Sequence, residues 1–302
     1  VPSATQPPSA PDTATAHNSV TLNVLVALPA HTPLAAAPLH YLCSSPLPAG
    51  TLVRVPLGKR QVLGIVWDAT PTSSNTAPET SNLKHIAEIL SDLPALDTTW
   101  RQLISFTARY YQRSMGEVAL AALPPQLREL DAKQLARRLK TLAKNHATPR
   151  SDPSSNPSNA ATAPPAPAKP TLTAEQQLAV NAACTPAKNQ QPPAPILLFG
   201  STGSGKTEVY LRAVEQLLQQ DTAAQALVMV PEINLTPQLE HRFASRFPHL
   251  HLATLHSGMT AAQRLQNWLA AHTGQARIVL GTRMAVLASI PHLRLPIVDE
   301  EP

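Results

Sequence analysis

Two short stretches carry residue types that could act on a nucleotide: GSTGSGKT at 200–207 and DEE at 299–301. The first satisfies G-x-x-x-x-G-K-[ST] at every position. In that pattern glycines let backbone N–H groups close around phosphate oxygens, the lysine reaches the β- and γ-phosphates, and the hydroxyl holds Mg2+. Gly200, Gly203, Ser204, Gly205, Lys206 and Thr207 are therefore expected to bind ATP, with Thr207 on Mg2+. Hydrolysis also needs a carboxylate on the metal and a group that polarises the attacking water. Asp299 and Glu300 close the apolar run LPIV (295–298) and are expected in those roles, which makes Lys206, Asp299 and Glu300 the candidate catalytic set.

Such residues must be delivered by strand ends. From 171 onward apolar runs ILLF (196–199), ALVMV (226–230), HLATL (251–255), RIVL (277–280) and LPIV alternate with the helical patterns EVYLRAVEQLL, TPQLEHRFASRF and TAAQRLQNWLAA. Strands that are apolar throughout and separated by helices imply a parallel sheet covered on both faces. ILLF is expected as the strand that feeds the phosphate loop, and residues 171–302 as an α/β nucleotide-binding lobe.

Upstream the composition divides the chain. Residues 1–19 are Pro, Ser, Ala and Thr without periodicity and read as a disordered tail. Residues 20–75 hold the β-rich runs TLNVLVAL and TLVRVPLGKRQVLGIVWD, a small β domain, and 80–147 turn helical. Three helices there suggest a helix-turn-helix or winged-helix module. The aromatics of WRQLISFTARYY, at helical spacing, read as core rather than base-stacking groups. Residues 148–170 are a Pro/Ser/Ala linker.

Among 302 residues there are 32 prolines, about twice the usual ~5%, and the excess clusters in these boundary segments. A net charge of +5 permits a polyanionic partner. Two cysteines, Cys43 and Cys184, form no C-x-x-C pair; this speaks against a disulfide scaffold or a zinc site in this stretch and for a reducing cytoplasm. No apolar run is long enough to span a bilayer. His249, His251 and His256 in HLHLATLH lack a carboxylate or thiolate at ligand spacing and read as ordinary strand histidines.

The series LTAEQQLAV, GSTGSGKTEVY, VPEINLTPQ, LHSGM with Trp268 following, GTRMAVLA and VDEE resembles the first RecA-like lobe of superfamily 2 helicases, and in detail the PriA (primosomal protein N′) family. With the upstream modules also in register, the resemblance covers roughly 20–147 and 171–301. It implies a multidomain protein: a small β domain binding DNA 3′ ends, a winged-helix module, and a RecA-like P-loop helicase lobe whose parallel sheet is incomplete. It implies an ATP-dependent 3′-to-5′ DNA helicase that recognises branched DNA at stalled forks, initiates primosome assembly, and works with other primosome proteins and single-stranded DNA-binding protein near the cytoplasmic nucleoid.

By position, Gln176 would recognise adenine. Pro231, Glu232, Thr236 and Gln238 would face single-stranded DNA, with Thr236 also placed to cap a helix. Thr282 and Arg283 would form a second DNA-contacting loop, and Tyr41, Gly50, Lys59 and Arg60 would contact the 3′ end. Departures are His40 in place of the family Asp, Asn234 in place of Gly, Met284 in place of a small residue, and Pro302 in place of His. The family's zinc-binding insertion, second lobe and arginine finger have no counterpart here, so the chain is expected to be truncated at the DEE and to bind nucleotide better than it turns it over. A DNA- and ATP-binding remnant without helicase activity is the alternative; a P-loop kinase or transporter ATPase is disfavoured by the DNA-facing segments between the nucleotide motifs.

Overall fold

The computed structural model describes residues 19–28, 37–68, 83–147, 170–185, 194–201, 203–231 and 236–299. Almost all of the expected tail and of the expected linker lies outside these residues, as do Glu232, Asn234 and Glu300.

Strands β1 (Val20–Val26), β2 (Leu39–Cys43), β3 (Leu52–Leu57), β4 (Arg60–Trp67) and β5 (Glu88–Ile89) build an antiparallel sheet in the order β2-β1-β4-β3-β5. Its last strand lies beyond residue 75, where the sequence placed the edge of the β domain. Alternation at period two sorts its side chains. Val24, Val26, Tyr41, Val53, Val55 and Val66 pack on one face, whereas Leu25, Leu52, Leu63, Ile65 and Trp67 face the helices that follow. Leu57 pairs with Arg60, so Gly58 and Lys59 alone make the β3–β4 turn. Gly58 has φ +60°, as a two-residue hairpin with glycine first requires.

Helices α1 (Thr98–Tyr110), α2 (Met115–Ala122) and α3 (Ala132–Ala147), with a 3₁₀ turn at Pro125–Arg128, form the helical module. Asp97 and Ser114 cap α1 and α2 by accepting from backbone N–H groups three residues on. Residues 98–147 contain no strand among the described residues, so the module is helical and shows no wing there. Trp100, Ile104 and Ala108, spaced by four, form the buried stripe of α1. Of the aromatic run expected as core, Trp100 is buried as expected, whereas Phe106, Tyr110 and Tyr111 are 64%, 69% and 68% exposed, which corrects the expectation for those three.

The second half contains α4 (Ala174–Cys184), α5 (Lys206–Gln220), β6 (Gln225–Met229), α6 (Thr236–Arg246), β7 (Leu252–Leu255), α7 (Ala261–His272), β8 (Ile278–Gly281), a 3₁₀ turn at Arg283–Leu287 and β9 (Leu293–Val298). The four strands are parallel in the order β7-β8-β6-β9, with helices between consecutive strands up to β8. ILLF is not a strand: Leu197 and Phe199 are 86% and 93% exposed and pair with nothing in the sheet. A strand exists through its ladder partners, and β9, paired only to β6, ends the described sheet. His249, His251 and His256 flank β7 instead of alternating along it.

One apolar cluster joins the two halves. Leu52, Ile65, Leu96 and Trp100 of the N-terminal modules share it with Leu265, Trp268 and Leu269 of α7. No helix among the described residues is long and apolar enough to cross a membrane.

Candidate nucleotide and DNA site

Parallel strands leave their C-terminal ends on one edge, and in open α/β sheets that edge is where ligands bind. Here β6 delivers Val230 and Pro231, β8 delivers Thr282 and Arg283, and β9 delivers Asp299, from three neighbouring strands. The Asp299 N–H donates to the Met229 carbonyl at 2.8 Å, which fixes its backbone at the end of β6.

The phosphate loop opens α5. Gly205, the N-cap, adopts φ +86° and Gly203 φ +83°, a left-handed backbone that a side chain would strain. The reason for glycine differs between them. A Cβ at Gly203 would meet nothing within 4 Å, whereas one at Gly205 would lie 2.6 Å from Gln176 Nε2. Lys206 curls back so that Nζ donates to the Gly200 and Ser201 carbonyls at 2.7 and 3.3 Å. Its ammonium therefore already sits within the loop where phosphate oxygens are expected.

Gln176 bridges α4 and this loop. Its Oε1 accepts from the Thr173 N–H at 3.0 Å as half of a capping box, and its Nε2 donates to the Ser204 carbonyl at 2.9 Å. The amide thus holds the loop in place with both of its ends.

Sequence reasoning missed the contact that joins the two nucleotide motifs. Tyr210 lies one helical turn beyond Lys206, and its hydroxyl donates to Asp299 Oδ1 at 3.0 Å. The available signal was an aromatic hydroxyl at i+4 from the lysine, on the same helix face. Helix α5 is tied to α6 by ion pairs, Arg246 of α6 lying 3.0 Å from Glu208 and 3.5 Å from Glu215, while Arg212, 3.0 Å from Glu208, adds an i,i+4 pair within α5 itself.

This donor set fits a magnesium nucleotide. No group of three or more His, Cys, Asp or Glu side chains able to hold a metal occurs among the described residues. Mg2+ suits such a place, because it is ordinarily held by one or two protein oxygens, substrate phosphates and water. Among the described residues Asp299 and the Thr207 hydroxyl are protein oxygens that would hold it, and the N-terminus of α5 favours the anion.

The expected DNA contacts divide by exposure. Gln238 and Arg283 are exposed, while Thr282 is buried and donates its N–H to the Leu255 carbonyl at 3.1 Å. The side chain of Thr236 lies outside the described residues. In the β module Lys59, Arg60 and His40 are exposed, the first two at the β3–β4 hairpin. Tyr41 is buried, and its hydroxyl donates to the Pro56 carbonyl at 3.2 Å; burial pushes its pKa up. Gly50 is also buried, its carbonyl accepting from the Leu96 N–H at 3.0 Å. Tyr41 and Gly50 therefore shape the β module from within.

Comparison with known proteins agrees with this arrangement. A model for the PriA 3′DNA-binding domain matches residues 23–124, and one for DEAD/DEAH box helicases matches residues 173–301. The replication restart protein PriA of Haemophilus influenzae is 49% identical over 105 residues, 35% of this chain and 14% of that protein. The Bacillus subtilis protein of that name is 43% identical over 105 residues, 35% of this chain and 13% of its own length. Its Helicobacter pylori (strain J99) counterpart is 30% identical over 264 residues, 87% of this chain and 35% of that relative. The chain thus spans about a third or less of the length of these relatives. With both models matched in order along one polypeptide, the chain belongs to the PriA family of replication restart proteins.

Proposed function

We propose that this chain is the N-terminal portion of an ATP-dependent 3′-to-5′ DNA helicase that recognises branched DNA at stalled forks and initiates primosome assembly for replication restart. The observation that carries the reading is the meeting of Asp299 with the phosphate-loop helix through Tyr210, on the same sheet edge as Arg283. DNA binding by the N-terminal modules follows from their match to a 3′DNA-binding domain and from the exposed Lys59 and Arg60. The winged-helix reading of α1–α3 rests on the resemblance alone.

Gln176 holds the phosphate loop and meets the adenine edge. Lys206 exchanges its two loop carbonyls for β- and γ-phosphate oxygens, and the α5 backbone N–H groups take the remaining oxygens. Thr207 and Asp299 hold Mg2+, which when bound neutralises phosphate charge and polarises the γ-phosphoryl group. Glu300 orients and deprotonates the attacking water. Pro231, Glu232, Thr236, Gln238, Thr282 and Arg283 follow β6 and β8, so a DNA strand along that edge would lie beside the nucleotide.

Protein partners, among them primosome proteins and single-stranded DNA-binding protein, would meet an exposed surface. The exposed cluster of Phe106 stacked on Tyr110, with Tyr111 edge-on to it, beside Arg109 and Arg113 is the apolar, basic candidate. A cytoplasmic, nucleoid-associated location follows from a DNA substrate.

The test is ATP hydrolysis with and without forked DNA by the full-length protein that carries this chain, using Lys206→Ala as control. DNA-stimulated turnover lost in the variant supports the helicase reading. DNA binding without lysine-dependent turnover overturns it and leaves a DNA- and nucleotide-binding fragment.

A further inference from the structure

Asp299 is the only carboxylate described at the end of β9, and one oxygen of it is already engaged. We propose that Tyr210 is a positioning residue that holds the Asp299 carboxylate in the orientation needed to bind Mg2+, and so sets the metal dependence of nucleotide binding. The proposal rests on the reading of Asp299 as a Mg2+ ligand.

The geometry supports a dedicated role. Tyr210 is 8% exposed on α5, between Val209 and Leu211, which are also buried, so its ring has little freedom. Only the hydroxyl reaches Asp299, at 3.0 Å across 89 positions of sequence. A carboxylate has two oxygens and about four lone-pair directions. With Oδ1 accepting from the phenol, Oδ2 is left for the metal, and rotation about the terminal torsion is restrained.

The rest of Asp299 is fixed independently, its N–H by the Met229 carbonyl. The phenol therefore acts on the side chain, not on the strand. Hydrogen-bonded partners of metal-ligating groups commonly tune affinity in this way. Because Tyr210 shares α5 with Lys206 and Thr207, the same contact also registers Asp299 against the residues that hold the phosphates. A helix displacement that moved the loop would move the carboxylate with it.

Fluorescent ATP-analogue binding to the full 302-residue chain, titrated with Mg2+ and repeated in EDTA, tests this. Tyr210→Phe keeps the ring and deletes the donor. It is expected to raise the half-saturating Mg2+ concentration roughly three- to tenfold while leaving affinity in EDTA within error of the parent and the cooperative melting transition intact, lowered by no more than the loss of one hydrogen bond. In an Asp299→Asn background the same substitution should add nothing, because its effect runs through that carboxylate.

Two results would overturn the proposal. An unchanged Mg2+ midpoint in Tyr210→Phe, with metal dependence lost in Asp299→Asn, makes the tyrosine a packing residue while Asp299 remains a ligand. Unaltered metal dependence in Asp299→Asn removes the ligand assignment, and the tyrosine's role with it.

Discussion

The indole Nε1 of Trp100 donates to the Leu287 carbonyl at 2.9 Å, joining α1 to the 3₁₀ turn that follows β8. That turn begins at Arg283, an expected DNA contact, so the N-terminal helices are fastened to the very segment that would meet DNA. Trp100 is 3% exposed and lies in the shared core. Trp100→Phe retains most of the apolar ring but leaves Leu287 without this donor. It should destabilise the chain by about 1–3 kcal/mol, read by urea unfolding. Phe106→Ala on the exposed face of the same helix should cost at most about 0.5 kcal/mol. Equal costs for the two would mean that the interface contributes no stability.

His272, the second fastening, sets a pH dependence. Its Nε2 lies 2.9 Å from the Pro94 carbonyl and its Nδ1 2.9 Å from Ser289 Oγ, with the ring stacked on Trp268. A carbonyl only accepts, so Nε2 carries the proton and Nδ1 accepts from the serine. Burial lowers the pKa of His272, outweighing the Pro94 carbonyl and the Asp97 charge, which raise it. The folded state thus keeps the imidazole neutral, while the unfolded chain takes up a proton near the ordinary value of ~6.5. The stability contribution is complete above ~6.5 and is lost as pH falls from there through the depressed folded pKa. Melting followed between pH 7.5 and 5 should show a steeper fall for the parent than for His272→Gln. Parallel profiles would place the titration elsewhere.

Much of the second half was legible because local pattern carries it. The glycines and lysine of 200–207 announce a phosphate loop, and continuous apolar runs announce β6 to β9. ILLF misled for a physical reason. Its apolar composition is local, but a strand needs a neighbour, and its neighbours are fixed by chain order in space. The Tyr210–Asp299 contact was only half legible: the i+4 spacing from Lys206 places the hydroxyl on the loop's face of the helix, but only the fold brings Asp299 to it. Helix α1 shows the intermediate case: its period was readable, but which aromatics faced inward depended on where the β sheet and α7 lay.

Gln225 illustrates a polar residue placed by tertiary structure alone. It is fully buried at the start of β6, with Nε2 donating to the Ala271 and Ala276 carbonyls at 2.9 and 2.7 Å and Oε1 accepting from the His292 N–H at 3.0 Å. It clamps the end of α7 and the start of β9 to β6. Gln225→Leu is nearly isosteric but takes this partner from the Ala276 carbonyl and the His292 N–H, while the Ala271 carbonyl keeps the Gly274 N–H at 3.2 Å. A loss of about 2–4 kcal/mol in urea unfolding is expected, and a loss below about 1 kcal/mol would show that these groups find other partners.

Gly50 and Gly58 separate a packing role from a DNA contact in the β module. Gly50 has φ +93°, and a Cβ there would lie 2.0 Å from the Leu96 carbonyl oxygen, so backbone must move to admit one. Gly58 has φ +60° with nothing within 4 Å, so its alanine variant meets only conformational strain. Gly50→Ala should cost about 3–5 kcal/mol, from strain plus overpacking, and Gly58→Ala about 1–2 kcal/mol. DNA affinity measured well below either melting transition distinguishes the roles. If Gly50 acts by packing, its variant loses stability first and DNA affinity only as the β module opens. A Gly50→Ala protein of parental stability with weakened 3′-end binding would instead make Gly50 a direct contact, in conflict with its burial against Leu96.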